Sequence, residues 1–213
     1  MTLDINTPLI EPTTENTHPA NIEFLYDKYG KETVDNAVEY LTYKKTPPPL
    51  PKNEIKGKAL LYVFRHGQSN DNINMIFSGW RAPKLTEKGE QDAEVIAEKI
   101  KDVNFDLLIA SDQPRTFETM KLAVSKNEQA KNKDIRVDKR LRERNYGDWQ
   151  GQSKLVKHLE NPDALFNVRR GWDNPPPNGE SMAMVNKRVS ELLEELIPEE
   201  LEMFHLIECI EKY

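Results

Sequence analysis

Two short runs of unbroken apolar residues, each followed at once by a polar, cationic cluster, constrain this chain more than any other feature. The first, at 59–64 (ALLYVF), runs into Arg65-His66-Gly67-Gln68-Ser69. The second, at 107–110 (LLIA), runs into Ser111-Asp112-Gln113-Pro114-Arg115-Thr116. Apolar runs of this length without alternation suit strands buried on both faces. A third, shorter strand is expected at 135–137. Between the runs, Ala93, Ile96, Ala97 and Ile100 share a helical face behind Thr86, a suitable N-cap. Further helices are expected from about Pro114, where proline fits a first turn, and from Met182 to about Leu196. Strands alternating with helices imply βαβ units, hence an α/β fold with a mostly parallel sheet. In such sheets ligands bind beyond the carboxyl ends of the strands, where both clusters stand.

Residues 1–55 read as an extension to a main domain at 56–213. The first 19 residues are polar, Thr-rich and aperiodic, which predicts disorder. Ile22, Leu25, Tyr26 and Tyr29, then Val34, Ala37, Val38 and Leu41 after Gly30, predict one or two amphipathic helices. The proline-rich stretch at 46–51 ends them and predicts a stiff linker. Such an arm either packs on the main domain or docks a partner.

Bulk properties narrow the function. The 213 residues carry 30 basic and 36 acidic side chains, a net charge of −6. That balance argues against general nucleic-acid binding, yet local arginines can still hold a small anion. The single cysteine, Cys209, excludes an internal disulfide. No apolar run approaches ~20 residues, so no membrane span is expected. The N-terminus has no apolar core of a signal peptide, which predicts a cytoplasmic protein. No His/Cys/Asp cluster at metal spacing is found, so no metal is expected. Homo-oligomerisation is left open.

The clusters carry recognisable chemistry. Arginine presents a planar fork of donors to phosphate oxygens, and neutral imidazole is a competent nucleophile. Gly67 would let backbone approach an anion closely. With Phe77-Ser78-Gly79-Trp80 and Leu85-Thr86-Glu87-Lys88-Gly89 following, RHGQSNDN resembles the opening signature of the histidine phosphatase superfamily. The resemblance implies that His66 is phosphorylated during turnover. The segment from Ser111 is similar to the family's SDLxRAxQT. It implies that Arg115 joins Arg65 and Asn72 around the phosphoryl group, as two arginines from neighbouring strand ends could.

Other segments resemble the cofactor-dependent phosphoglycerate mutases of that superfamily. Leu141-Arg142-Glu143-Arg144-Asn145-Tyr146-Gly147 is similar to LNERxYG. By that resemblance Glu143 is the general acid and base, given a raised pKa, and Arg144 and Tyr146 contact substrate. Lys154 stands at the place of a substrate lysine. Arg169-Arg170 precede Pro175-Pro176-Pro177, as a paired arginine does in mutases. A mutase must hold a carboxylate and a second phosphate, so it needs more cations than the RHG pocket supplies. Ser78, Gly79, Lys154, Arg169 and Arg170 would hold the rest of the substrate. Glu180, in a GES segment, would favour the dipole of the helix it opens. The resemblance spans about 56–198. It implies a three-layer phosphoglycerate-mutase-like fold, 2,3-bisphosphoglycerate as primer, a small phosphorylated metabolite as substrate, and interconversion of 3- and 2-phosphoglycerate in glycolysis. The alternatives are a small-metabolite phosphomonoesterase of the same superfamily, or an impaired or incomplete homologue that binds ligand.

The C-terminal segment departs from the pattern. The family's second catalytic histidine ends another apolar strand in a VAHGNS-like segment, and residues 203–213 (MFHLIECIEKY) contain no match. Leu201, Phe204, Ile207 and Ile210 recur near helical spacing, which predicts a helix carrying His205 on its face. His18 and His158 match no motif. The expectation is a sheet lacking a central portion. It would arise from a product truncated or frame-altered before the last strand, or from a short form without efficient turnover.

Overall fold

The computed structural model describes residues 19–42, 60–196 and 205–209. Four parallel strands form one sheet: β1 (Leu60–Phe64), β2 (Leu107–Ala110), β3 (Ile135–Val137) and β4 (His205–Cys209). Their order is β1-β4-β2-β3. Eight α-helices accompany them among the described residues: α1 (Pro19–Tyr29), α2 (Lys31–Thr42), α3 (Asn70–Ile73), α4 (Glu87–Ile100), α5 (Pro114–Val124), α6 (Lys154–Glu160), α7 (Pro162–Arg170) and α8 (Met182–Leu196).

The sheet has helices on both faces. Tyr62 and Phe64 of β1 and Leu108 and Ala110 of β2 join Ile100, Met120, Ala123 and Val124 of α4 and α5. Leu107 and Ile109 point the other way, toward Leu192 and Leu196 of α8. Period-two alternation of strand side chains thus produces the three layers. Thr86 caps α4, its hydroxyl accepting from the Gly89 N–H at 3.1 Å. Pro114 occupies the first turn of α5.

Two expectations for the sheet are corrected. The segment around His205 is a strand, and it lies in the middle of the sheet. Leu60 is in register with His205 and Phe64 with Cys209, while Leu107 and Ala110 face Leu206 and Cys209 on the other side. Parallel pairing on both sides satisfies backbone groups that the apparent 3.6 spacing would have assigned to a helix. The central portion thought missing is therefore filled, and β1 and β2 are not neighbours. The first run is also not buried on both faces. β1 is an edge strand, and Leu61 and Val63 are 39% and 51% exposed. The helical face predicted for His205 is replaced by a place at the start of β4, the end of the sheet opposite His66.

The predicted arm is a helical hairpin that packs on the main domain. Gly30, with φ +83°, turns α1 into α2. Leu25, Val34 and Ala37 are buried against Leu155 and Val156 of α6. The disorder predicted at 1–19 is corrected at Pro19, which begins α1; residues 1–18, His18 among them, and the proline linker lie outside the described residues. So do the residues after Cys209, where the family's second histidine would be sought.

Candidate active site

The site forms where β1 and β2 release their chains. His66 is the second residue after β1 and is 5% exposed. Its Nδ1 lies 2.6 Å from the Gly67 carbonyl oxygen, which can only accept, so Nδ1 carries the proton. The other nitrogen, Nε2, lies 3.3 Å from Arg115 Nε, which can only donate. The two contacts select one neutral tautomer, with the Nε2 lone pair accepting from Arg115. A nucleophilic histidine needs that state.

Arg115 organises the rest. It sits in the first turn of α5 and has no exposed surface. Besides His66, it donates to the Arg81 carbonyl at 2.8 Å, the Gly79 carbonyl at 3.0 Å and Glu143 Oε2 at 3.1 Å. One guanidinium therefore touches both the His66 imidazole and the Glu143 carboxylate. A buried cation without such partners would be strongly disfavoured. Thr119, one turn along α5, donates to the Arg115 carbonyl at 2.7 Å and accepts from the Gly67 N–H at 3.1 Å. It ties the RHG loop to α5.

This geometry, a histidine and a carboxylate meeting at one buried arginine beyond parallel strands, coincides with a match of residues 61–206 to the model of the histidine phosphatase superfamily, branch 1. The chain belongs to that superfamily. Among its curated relatives is the 2,3-bisphosphoglycerate-dependent phosphoglycerate mutase of Methylocella silvestris. It is 38% identical over 61% of this chain and 64% of its own length. The enzyme of that name from Allorhizobium ampelinum is 36% identical over 61% of this chain and 62% of its own. The chain thus spans a little over three fifths of these relatives. Among solved structures, a mycobacterial glucosyl-3-phosphoglycerate phosphatase superposes with a TM-score of 0.62 at 30% identity, covering 71% of this chain and 73% of that one.

The superfamily's expected site residues fall into three groups. His66, Arg115, Glu143 and Gly79 are in direct contact, as above. A second group surrounds them electrostatically. Burial pushes the Lys154 ammonium down to about 8; Glu143 opposes that shift, and Arg169 and Arg65 add to it. Lys154 begins α6, above the Phe77 ring at 5.6 Å. Burial also lowers Arg169, with Arg170 and Arg144 acting in the same direction. Burial, then the Glu143 charge, raises Tyr146, whose ring packs on Phe77 at 4.7 Å. Arg65 is exposed at the mouth. Arg65, Lys154, Arg169 and Arg170 make no ion pair among the described residues. Such a cationic surplus holds anions.

The third group is engaged elsewhere. Arg144 is buried, donates to the Val168 carbonyl at 2.7 Å and lies over the Tyr146 ring at 4.8 Å. It binds the 142–146 loop to α7 and presents no exposed fork for substrate. Asn72 Oδ1 accepts from the Ser69 amide and hydroxyl, both at 3.0 Å, in the capping box of α3. Ser78 is buried. Gly67 serves packing: a Cβ there would run into the Gly89 backbone of α4. Glu180 precedes α8 rather than lying in its first turn. It accepts from the Asn145 N–H at 2.7 Å and pairs with Arg188 at 3.0 Å.

Several positioning residues were not among the expected site residues. Gln113 donates to the Gly79 carbonyl at 2.7 Å and accepts from the Glu143 N–H at 3.2 Å, joining two loops at the site. Trp80 Nε1 donates to the Glu143 carbonyl at 2.9 Å. Arg188 Nη2 reaches the same oxygen at 3.2 Å. Gln113 lies inside the SDQPR segment, and that adjacency was the available signal.

Proposed function

We propose that the chain is a phosphoglycerate mutase acting through a phosphohistidine at His66 Nε2. The observation that carries this reading is the shared guanidinium of Arg115, which brings His66 and Glu143 to one point. His66 starts as the Nε2 phosphohistidine: the free hydroxyl oxygen of the monophosphoglycerate attacks phosphorus, Glu143 takes the hydroxyl proton, a P–O bond forms and the P–N bond breaks. In the return step the freed Nε2 lone pair attacks the other phosphoryl group, the P–N bond re-forms, the bond from phosphorus to that substrate oxygen breaks, and Glu143 gives that oxygen its proton. Arg115 and Arg65 offset the charge on the phosphoryl oxygens. Lys154, Arg169 and Arg170 hold the carboxylate and remaining charge.

A bisphosphoglycerate primer suits this set, since Lys154, Arg169 and Arg170, which make no ion pair among the described residues, match a second phosphate and a carboxylate. It would supply the phosphoryl group that charges His66. Phosphorus NMR of a reaction on 3-phosphoglycerate tests the proposal. Growth of 2-phosphoglycerate that depends on the primer and vanishes in His66→Ala supports it. Accumulating inorganic phosphate instead supports the second reading, a phosphomonoesterase, which the likeness to a solved phosphatase favours. Ligand binding without turnover in either assay would leave the impaired homologue. A cytoplasmic location, glycolysis as the setting and a small phosphorylated metabolite as the partner belong to the proposal.

A further inference from the structure

Helix α2 reaches the substrate cations, although it belongs to the N-terminal hairpin and not to the segment matched by the superfamily. Its apolar face, Val34 and Ala37, is buried on α6. Asn36, Glu39 and Tyr40, at spacings of three and four residues, share another side of the helix. These three and Leu41 line an open cavity of about 470 Å³ together with Arg169 and Arg170. That volume falls within the roughly 300–1,000 Å³ of small-molecule sites. Tyr40 is fixed by stacking on His158 of α6, with centroids 5.1 Å apart. Arg169 adjoins Val168, whose carbonyl accepts from Arg144 at 2.7 Å, and Arg144 lies over the Tyr146 ring at 4.8 Å, so the cavity borders the loop that carries Glu143.

The lining specifies an occupant. Two guanidinium groups without an ion pair among the described residues call for an anion. Glu39 accepts hydrogen bonds and does not donate them, so it calls for a hydroxyl. Asn36 serves either group. With two arginines and one carboxylate, the lining favours an end group of limited negative charge.

We propose that α2 is the outer wall of the substrate site. Asn36, Glu39 and Tyr40 complete, with Arg169 and Arg170, a subsite for the non-reacting end of a phosphorylated hydroxy acid, and Glu39 sets how much charge that end carries. The inference rests on the function proposed above in taking Arg169 and Arg170 as substrate cations.

Calorimetry on the full chain tests it, in a His66→Ala background so that no phosphoryl transfer contributes heat. The ligands are 3-phosphoglycerate and 2,3-bisphosphoglycerate. Glu39→Gln is expected to shift the ratio of the two dissociation constants about tenfold toward the more highly charged ligand. Asn36→Ala is expected to weaken 3-phosphoglycerate about fivefold. Both side chains are exposed, so neither change removes core packing. A ratio within twofold of the parent, unchanged 3-phosphoglycerate affinity in Asn36→Ala, or no binding by the parent would each overturn the proposal. Calorimetry reads binding alone. A chain that forms no phosphohistidine yet shows the shift would sink the proposed function and keep the subsite, and the converse would do the opposite.

Discussion

At the scale of single residues, Arg115 and Lys154 bear the most consequence. Arg115→Ala removes the guanidinium that donates to both His66 Nε2 and Glu143 Oε2. Loss of one such preorganised donor costs on the order of 100-fold in turnover. Single-turnover transfer from 2,3-bisphosphoglycerate should fall at least that far, and an unchanged rate would remove Arg115 from the mechanism. Lys154 has a pH signature. Its folded value of about 8 lies below the ordinary 10.5. Between those values the unfolded chain binds more protons, so this group makes the unliganded fold gain stability as pH rises from 8 to 10.5. Anion binding has the opposite sign, because it needs the charged amine. Affinity for 3-phosphoglycerate should be highest below about pH 8 and decline above it, and Lys154→Met should flatten that limb. The meeting of His66 and Arg115 was legible because each lies in a motif that follows a strand in sequence. Arg144 and Asn72 were less so: their side chains are turned inward by Val168 and Ser69, partners that residue type alone does not reveal.

At the scale of elements, the RHG loop and α4 depend on close backbone contact. Gly67→Ala would place a methyl group against the Gly89 backbone, which cannot move aside as a side-chain tip can. Overpacking of this kind costs about 1–3 kcal/mol. A chemical-denaturation midpoint equal to that of the parent would contradict the argument. The α1–α2 hairpin is held to α6 by apolar burial of Leu25, Val34 and Ala37. Val34→Asp would bury an unpaired carboxylate, which is strongly unfavourable. Hydrogen exchange should then accelerate through α2 and the adjoining turns of α6, and protection equal to the parent would place the hairpin's stability elsewhere. The amphipathic spacing made both helices legible. The strand β4 was not, because Leu206 and Ile207 flank charged and polar neighbours in a pattern that fits a helix as well. Only pairing on both sides, with β1 and β2, decides between the two periods.

At the scale of the whole molecule, a parallel sheet delivers two sequence-distant clusters to one rim, and an appended hairpin closes one side of the cavity beside it. The α/β class and the carboxyl-end location of the site followed from patterning. The order β1-β4-β2-β3 did not, since it depends on a strand about 100 residues beyond β2. The superfamily's chemistry at this rim stands or falls on one nitrogen. The most direct measurement is site-resolved mass spectrometry, with phosphorus NMR, of the full chain exposed briefly to 2,3-bisphosphoglycerate and quenched at alkaline pH. A single phosphoryl group on His66 Nε2, absent in His66→Ala, is the expected result. A folded, soluble chain that takes up no phosphoryl group, or takes it at Nδ1 or another residue, would contradict the tautomer and the mechanism built on it.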